Sequence, residues 1–135
     1  MAGETTRYHG TCHCGKVRFT VDIDLSAGTT KCNCTWCWKT RRWGTLVTPD
    51  ALVAAEGHAH LSRGGRGGFC TVCSVQTYTV IDTSGWGWAR GDEMVAINLA
   101  CLDDLPVEDL IAAPVTYLDG LHDNFWSPPA ETRHL

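Results

Sequence analysis

The sequence has no long hydrophobic run, and none of its apolar segments approaches the roughly 18 residues needed to cross a bilayer. Its first residues are polar and lack the apolar core of a secretory signal, so we expect a cytoplasmic protein that does not enter a membrane. A long basic block is also missing, and the net charge is −4. Because nucleic-acid binding depends on clustered Lys and Arg side chains, we expect no nucleic-acid partner.

The composition that remains is typical of a globular protein. Hydrophobic residues make up 44% of the chain and charged residues 19%, which argues against disorder. A length of 135 residues is enough for one core, so residues 1–135 are predicted to form a single domain.

Short alternating segments predict a mainly β fold. Val17, Phe19 and Val21 alternate with polar residues, which is typical of a half-buried strand. One short helix is predicted from Asp103 or Asp104 to Ala112, capped by an Asp, with Leu105, Leu110 and Ile111 toward the core. Residues 62–68 and 84–90 are predicted loops, and residues 119–135 an irregular tail. The predicted strands are residues 16–21, 44–48, 52–56, 75–81 and 94–99.

Cysteine is the residue type that the chain has in unusual number. Seven of its eight cysteines fall in three clusters, and Cys101 stands alone at the end of an apolar strand, where we expect it to be buried. Thiols inside cells are kept reduced, so dense cysteine there indicates metal binding or catalysis. The clusters are a C-x-C pair, a C-x-C-x-x-C triplet and a C-x-x-C pair, which are Cys12 and Cys14; Cys32, Cys34 and Cys37; and Cys70 and Cys73.

The number of thiols suggests two zinc ions per chain. Two pairs supply four thiolates, which is a closed structural site, and the triplet supplies three. Three protein ligands with one open position are typical of catalytic zinc. Spacing does not determine which clusters combine; joining the two pairs is the simplest grouping, because it keeps the triplet whole.

Three other interpretations of these cysteines have different structural requirements. Disulfides are disfavoured by the strain of a C-x-C bridge and by the reducing compartment. A thioredoxin-type redox pair at Cys70 and Cys73 needs a following helix, whereas a strand is predicted there. Both zinc sites are structural if a histidine completes the triplet; the candidates are His58, His60 and His122.

The cysteine clusters and their flanking residues resemble the glutathione-dependent formaldehyde-activating (GFA) enzymes, which share their domain with the centromere protein V group. The matching segments are Gly-Thr-Cys-His-Cys-Gly at 10–15, Cys-Asn-Cys-Thr-Trp-Cys at 32–37, Phe-Cys-Thr-Val-Cys at 69–73, Ile-Asn-Leu-Ala-Cys-Leu-Asp-Asp at 97–104 and Asp-Gly-Leu-His-Asp-Asn-Phe-Trp at 119–126.

The resemblance implies an Mss4-like fold, with packed antiparallel sheets around a structural zinc. It assigns that zinc to Cys12, Cys14, Cys70 and Cys73, and a second, catalytic zinc to Cys32, Cys34 and Cys37. It also implies a carbon–sulfur lyase whose substrates are a small thiol and an aldehyde, joined as S-(hydroxymethyl)glutathione. Ser74 stands where the family favours glycine, and a positive φ there would cost about 1 kcal/mol.

Residues around the triplet have both a functional and a structural interpretation. The basic side chains after it can pair with substrate carboxylates or form a solvated edge, and the tryptophans can wall a pocket or pack in the core. His122 and Asp123 can supply acid–base chemistry or hold the tail in place. The basic residues are Lys39, Arg41 and Arg42, and the tryptophans are Trp36, Trp38 and Trp43.

Two classes of function fit this sequence. The first is the zinc-dependent lyase, in which a thiol occupies the open position beside the triplet. The second is a non-catalytic zinc module that carries a thiol or binds a protein partner. Metal behaviour separates them, because the lyase needs one exchangeable zinc and a purely structural module holds both tightly.

Overall fold

The computed structural model describes residues 3–135, which contain nine short strands and two short helices joined by turns and 3-10 segments. No helix among these residues is long and apolar enough to cross a bilayer. The strands are β1 (Thr6–Thr11), β2 (Arg18–Ile23), β3 (Thr29–Cys32), β4 (Gly44–Val47), β5 (Leu52–Glu56), β6 (Gly67–Phe69), β7 (Gln76–Asp82), β8 (Glu93–Asn98) and β9 (Val115–Leu118); the helices are α1 (Thr35–Lys39) and α2 (Val107–Ala112).

The smaller sheet has three antiparallel strands in the order β1-β2-β5. Its central strand carries the predicted alternation: Val17, just before it, and Phe19, Val21 and Ile23 within it are all at most 3% exposed. Burying side chains of this kind contributes roughly 1.5–3 kcal/mol each. The strand begins at Arg18 rather than at residue 16, but the prediction of its buried face is confirmed.

The larger sheet has six strands in the order β6-β7-β8-β4-β3-β9. Neighbouring strands in this sheet pair antiparallel, except that β3 and β9 run parallel. In that pair Cys32 lies beside Leu118. Parallel strands end at the same edge of a sheet, so the chain after Cys32 and the chain after Leu118 emerge side by side. This pairing brings the cysteine triplet next to the tail.

The two sheets share one core. Phe19 of β2 meets Tyr78 of β7 edge to face, with ring centroids 5.3 Å apart, and Ile97 of β8 is fully buried nearby in the same cluster. Edge-to-face aromatic pairs contribute about 0.5–1.5 kcal/mol beyond their buried area. The mainly β fold with packed sheets is therefore confirmed, with one parallel pair in an otherwise antiparallel arrangement.

The predicted helix exists, but its predicted start is wrong. Helix α2 begins at Val107, because the residue before Pro106 is disfavoured in helical geometry. Asp103 and Asp104 do not cap the helix; they accept hydrogen bonds from the Thr11 hydroxyl (2.7 Å) and from the backbone N–H of His9 (2.9 Å).

The core-facing side of this helix was partly predicted. Leu105, just before the helix, and Leu110 within it pack against the core, whereas Ile111 is 69% exposed, contrary to the prediction. A second helix, α1, was not predicted, because it is only five residues long and begins inside the cysteine triplet.

The loops largely follow the prediction. Residues 84–90 connect β7 to β8, with Trp86 and Trp88 exposed, and the tail has no regular element beyond the 3-10 turn Gly120–His122. The glycine-rich segment differs, since its end forms β6. A Cβ atom at Gly67 would lie 2.0 Å from the Tyr78 carbonyl oxygen, so this strand approaches β7 only because glycine has no side chain.

Candidate metal centres

The first cluster contains the C-x-C pair and the C-x-x-C pair. Cys12 and Cys14 follow β1 in the smaller sheet, and Cys70 and Cys73 lie between β6 and β7 in the larger one. The four sulfurs lie within 4.8 Å of one another, with Cys12–Cys14 at 3.6 Å and Cys14–Cys70 at 3.7 Å. A tetrahedral zinc with bonds near 2.3 Å needs sulfurs about 3.8 Å apart, so this group could hold such an ion.

Tight backbone turns bring the two cysteines of the C-x-x-C pair together. The Cys70 carbonyl accepts a hydrogen bond from the Ser74 N–H at 2.7 Å, and the Cys70 N–H donates to Val75 at 3.0 Å. Ser74 has φ of 70°, in the left-handed region that favours glycine. The position does require a positive φ, and serine occupies it at a conformational cost.

The second cluster lies within six residues of chain. Cys32 ends β3, Cys34 is the N-cap of α1 and Cys37 lies in its first turn. Their sulfurs lie within 4.8 Å of one another. Backbone N–H groups point at two of them: Cys34 donates to the Cys32 sulfur at 3.4 Å, and Cys37 donates to the Cys34 sulfur at 3.3 Å. Such donors stabilise thiolates and suit a metal site.

No histidine completes this triplet among residues 3–135. The group of donor atoms within 4.8 Å of one another contains the three sulfurs and no His, Asp or Glu atom. His60 lies near the first cluster, where its carbonyl accepts from the Thr71 N–H at 2.7 Å. His122 directs Nδ1 to Asp119, at 2.9 Å. The geometry therefore gives no support to a site closed by His58, His60 or His122.

The tail is fastened against the triplet by Asn33, the residue between two of its cysteines. The buried Asn33 amide donates to the Asp119 carboxylate at 2.8 Å and accepts from the Leu121 N–H at 3.0 Å. Gly120 lies between them, and a Cβ atom there would be 2.6 Å from the Cys32 sulfur. The tail thus forms one wall of the second site.

The pKa values of the thiols within each cluster indicate that the sulfurs suit a bound cation. In the first, burial opposes ionisation of Cys73, but backbone N–H groups of Val75 and Cys14 and neighbouring thiols lower its pKa to about 6. In the second, burial and the adjacent Cys34 thiol raise the pKa of Cys37 to about 12. In each cluster some thiols are favoured as thiolates at the expense of their neighbours. All become thiolates together only beside a cation, which is the property of a metal donor set.

A cavity of about 110 Å³ lies beside the second cluster. Its lining comprises Lys31, Cys32, Cys37, Trp38, Arg41, Arg42, Trp43 and Leu135. Burial lowers the pKa of Arg42, while the three cysteines raise it, which places its guanidinium close to their sulfurs. Lys39 is exposed and does not line the cavity, so the structure separates it from the two arginines with which it was grouped.

The three tryptophans near the triplet have different surroundings. Trp43 packs against the core and donates from its indole nitrogen to the Thr29 hydroxyl at 2.8 Å. Trp38 lines the cavity and meets the His134 ring edge to face at 4.7 Å. Trp36 is 51% exposed and does not line it. Of the three tryptophans, Trp38 therefore lines the cavity, Trp43 packs against the core, and Trp36 is exposed.

The structure also bears on the disulfide and redox-pair interpretations and on the prediction for Cys101. All eight cysteines are free thiols, and β7 rather than a helix follows the C-x-x-C pair. Cys101 is buried as predicted; its sulfur donates to the Gln76 carbonyl at 2.8 Å, and burial raises its pKa to about 12. Sequence reasoning missed Asn33 and Gly120 as parts of the second site, although both lie inside segments that resemble the family's motifs.

Comparison with known proteins agrees with this geometry. The chain belongs to the family of glutathione-dependent formaldehyde-activating enzymes, whose sequence model matches residues 7–117. The family implies a function related to glutathione and formaldehyde activation. A crystal structure of a Rhodobacter sphaeroides protein has a similar fold, with a TM-score of 0.60 and 24% identity over 80% of this chain and 99% of that one. A comparison with curated proteins finds no match.

Proposed function

We propose that the protein is a zinc-dependent carbon–sulfur lyase acting on a thiol–aldehyde adduct such as S-(hydroxymethyl)glutathione. One observation carries the proposal: three sulfurs converge beside a cavity, and no fourth Cys, His, Asp or Glu donor atom of residues 3–135 lies with them. A metal held by three protein ligands has room for a ligand from outside the chain. Family membership supplies the chemical class of that ligand.

The two clusters have different roles in this proposal. Cys12, Cys14, Cys70 and Cys73 hold a structural zinc, because four sulfurs complete a tetrahedron. The triplet holds the second zinc, which when bound would keep a thiol ligand as its thiolate at neutral pH. Seven cysteines that bind metal as thiolates must stay reduced, which is the case in a reducing compartment such as the cytoplasm.

The residues of the chain position the reactants. Cys32 and Cys37 line the cavity, so a ligand in it lies against the triplet, and the contacts of Asn33 and Gly120 hold the tail against the same cysteines. In the forward direction the thiol sulfur bonds to the aldehyde carbon, and the aldehyde oxygen takes the proton that the thiol loses. The reverse step breaks the same carbon–sulfur bond and releases both.

Exchange NMR with isotope-labelled formaldehyde and glutathione tests the reaction directly. It measures how fast the adduct interconverts with its components, above the uncatalysed rate. We expect the zinc-loaded protein to accelerate exchange, and Cys34→Ser to abolish the acceleration. Cys101→Ser is the matched control, since serine can make the same bond to Gln76 and the residue belongs to neither cluster. No acceleration by the zinc-loaded wild-type protein would contradict the proposal.

The second candidate is a non-catalytic zinc module that binds a partner. Exposed aromatic side chains near the triplet favour it: Trp36 is 51% exposed and Phe125, which lies close to Gly120, is 53% exposed. Such patches are typical of interaction surfaces. A chelator titration separates the candidates, because the lyase releases one zinc readily and the module retains both.

A further inference from the structure

Residues 132–135 of the tail fold back over the cavity beside the cysteine triplet, and we call this segment the strap. The Leu135 N–H donates to the Thr132 carbonyl at 3.0 Å, which closes a turn. His134 and Leu135 are half-buried against the cavity, whereas Arg133 between them and Thr132 is exposed. The strap therefore has one side toward the second site and one side toward solvent.

Three residues of the cavity hold the strap. The Arg41 guanidinium donates to the His134 carbonyl at 2.9 Å, and the Lys31 ammonium donates to a main-chain oxygen of Leu135 at 3.3 Å. The His134 ring meets the Trp38 ring edge to face, with ring centroids 4.7 Å apart. Arg41, Lys31 and Trp38 all line the cavity, and Leu135 itself forms part of its wall.

The cavity beneath the strap is small for the ligand that the proposed function requires. Its volume is about 110 Å³, whereas pockets that bury a small-molecule ligand usually measure about 300–1,000 Å³. A thiol of the size of glutathione therefore has too little room to be enclosed beside the triplet while Leu135 forms the wall. A much smaller thiol does not need the additional room.

Few interactions keep the strap in place. Among residues 3–135, the bonds from Arg41 and Lys31 are the hydrogen bonds that connect residues 127–135 to the rest of the chain. Residues 127–135 also contain no strand or helix. Segments of this kind open locally at a free energy well below that of global unfolding. The strap can therefore leave the cavity while the two sheets stay folded.

We propose that the strap is an autoinhibitory segment, which closes the second site and has to leave the cavity before a large thiol binds there. The inference rests on the proposed function, because the ligand that the strap excludes is the thiol that the triplet's metal would take. The apparent affinity of a ligand that binds only the open form is reduced by the fraction of molecules that are open. Loosening the strap therefore strengthens the binding of a large thiol and leaves that of a small thiol unchanged.

The first test measures thiol binding to the cobalt-loaded full chain, whose visible bands respond to an added sulfur ligand. Glutathione is the large thiol and mercaptoethanol the small one. His134→Ala removes the ring contact with Trp38, so glutathione should bind about twofold to tenfold more tightly, while the affinity for mercaptoethanol should not change. Arg133→Ala is the matched control, because its exposed side chain pairs with Glu131; both affinities should equal those of the wild type.

Proton NMR of the zinc-loaded protein observes the strap itself. The Trp38 ring shifts the resonances of the His134 ring away from their positions in a free histidine, and these resonances are identified by their absence in His134→Ala. Glutathione should move them to the free position, because the strap leaves the cavity when this ligand binds. Mercaptoethanol should leave them where they are.

Different results separate the strap from the proposed function. The strap does not close the site if the His134 resonances lie at the free position without any ligand, or if His134→Ala leaves the relative affinity for the two thiols unchanged. Weaker glutathione binding by His134→Ala would also overturn the proposal, since the strap would then hold the ligand rather than exclude it. All three results leave the proposed thiol chemistry standing. A cobalt spectrum that no thiol changes would contradict the proposed function itself, and the strap with it.

Discussion

Gly120 lies against the triplet, where a Cβ atom would be 2.6 Å from the Cys32 sulfur and 3.1 Å from the Cys34 Cβ. Its φ is not in the left-handed region, so glycine is needed there for space rather than for backbone conformation. The Gly120→Ala protein should stay folded but bind the second metal about tenfold to a hundredfold more weakly, as is typical when the support of a ligand is disturbed.

Competition with a chromophoric chelator measures that affinity. Gly65→Ala is the matched control, because nothing lies within 4 Å of a Cβ atom at that glycine and its φ is also outside the left-handed region. Equal affinity in the two variants would show that Gly120 does not shape the site.

Ser74 gives a second prediction at this scale. Glycine adopts its φ of 70° without strain, so Ser74→Gly should raise the free energy of unfolding by about 1 kcal/mol. Urea denaturation of the metal-loaded protein measures the change. Ser127→Gly, where φ is not positive, should be neutral or slightly destabilising, and the idea fails if both variants behave alike.

Individual cysteines were the most predictable residues of the chain. The pairs and the triplet are local in sequence, and their sulfurs come together in the simplest grouping, which joins the two pairs and keeps the triplet whole. Asn33 and Gly120 were not predictable in the same way. Their importance depends on a contact between residue 33 and residues 119–121, which only the parallel pairing of β3 with β9 creates.

At the scale of elements, that pairing makes the tail part of the second site. The Asn33 side chain connects the two segments by bonding Asp119 and the Leu121 N–H. Asn33→Ala should leave the Leu121 N–H without its partner and Asp119 with His122 alone, and so lower the free energy of unfolding by about 1–3 kcal/mol. It should also speed proteolysis of the tail. Asn124→Ala is the control, since its side chain bonds only the nearby Trp126 N–H.

The same connection has a pH signature. The Asn33 amide and then His122 lower the pKa of Asp119, so its ionised form stabilises the fold above its unfolded pKa, and this contribution is lost as the pH falls through the folded value. The Asn33→Ala protein should therefore lose less stability than the wild type on acidification into that range. An identical acid dependence would contradict the role given to Asn33.

The predicted strands lie within about two residues of β2, β4, β5, β7 and β8, whereas β1, β3, β6 and β9 were not predicted. In β2 the buried apolar residues alternate with polar ones because the core lies on one side of the strand. β3 and β9 have only partly buried residues over most of their length, and β6 is mostly glycine. Their strand geometry comes from pairing with neighbours, which leaves little pattern in the sequence.

For the whole molecule, the first cluster connects the two sheets and the second lies within one short segment. Losing a ligand of the first should therefore unfold the protein, because metal binding there contributes to folding. Cys73→Ser should lose most of its folded, soluble protein. Cys34→Ser should keep its circular dichroism spectrum while its zinc content falls from about two ions to about one.

Elemental analysis and circular dichroism of both variants check this difference, with Cys101→Ser as the control that keeps both ions. If Cys34→Ser unfolds as severely as Cys73→Ser, the triplet is structural and the lyase proposal weakens. The fold class and the two cysteine clusters that could hold metal ions followed from local patterns. The order of strands in the larger sheet did not, because it depends on contacts distant in sequence.

The central claim is that the triplet's metal takes a thiol from outside the chain. Cadmium NMR tests it most directly, because cadmium replaces zinc and its resonance frequency depends on how many sulfurs bind it. We expect two cadmium resonances: one does not change when glutathione is added, and the other shifts toward the four-sulfur position. The shifting resonance should be absent in Cys34→Ser. If both resonances start at the four-sulfur position, or if neither changes with glutathione, the triplet's metal does not take a thiol from outside the chain.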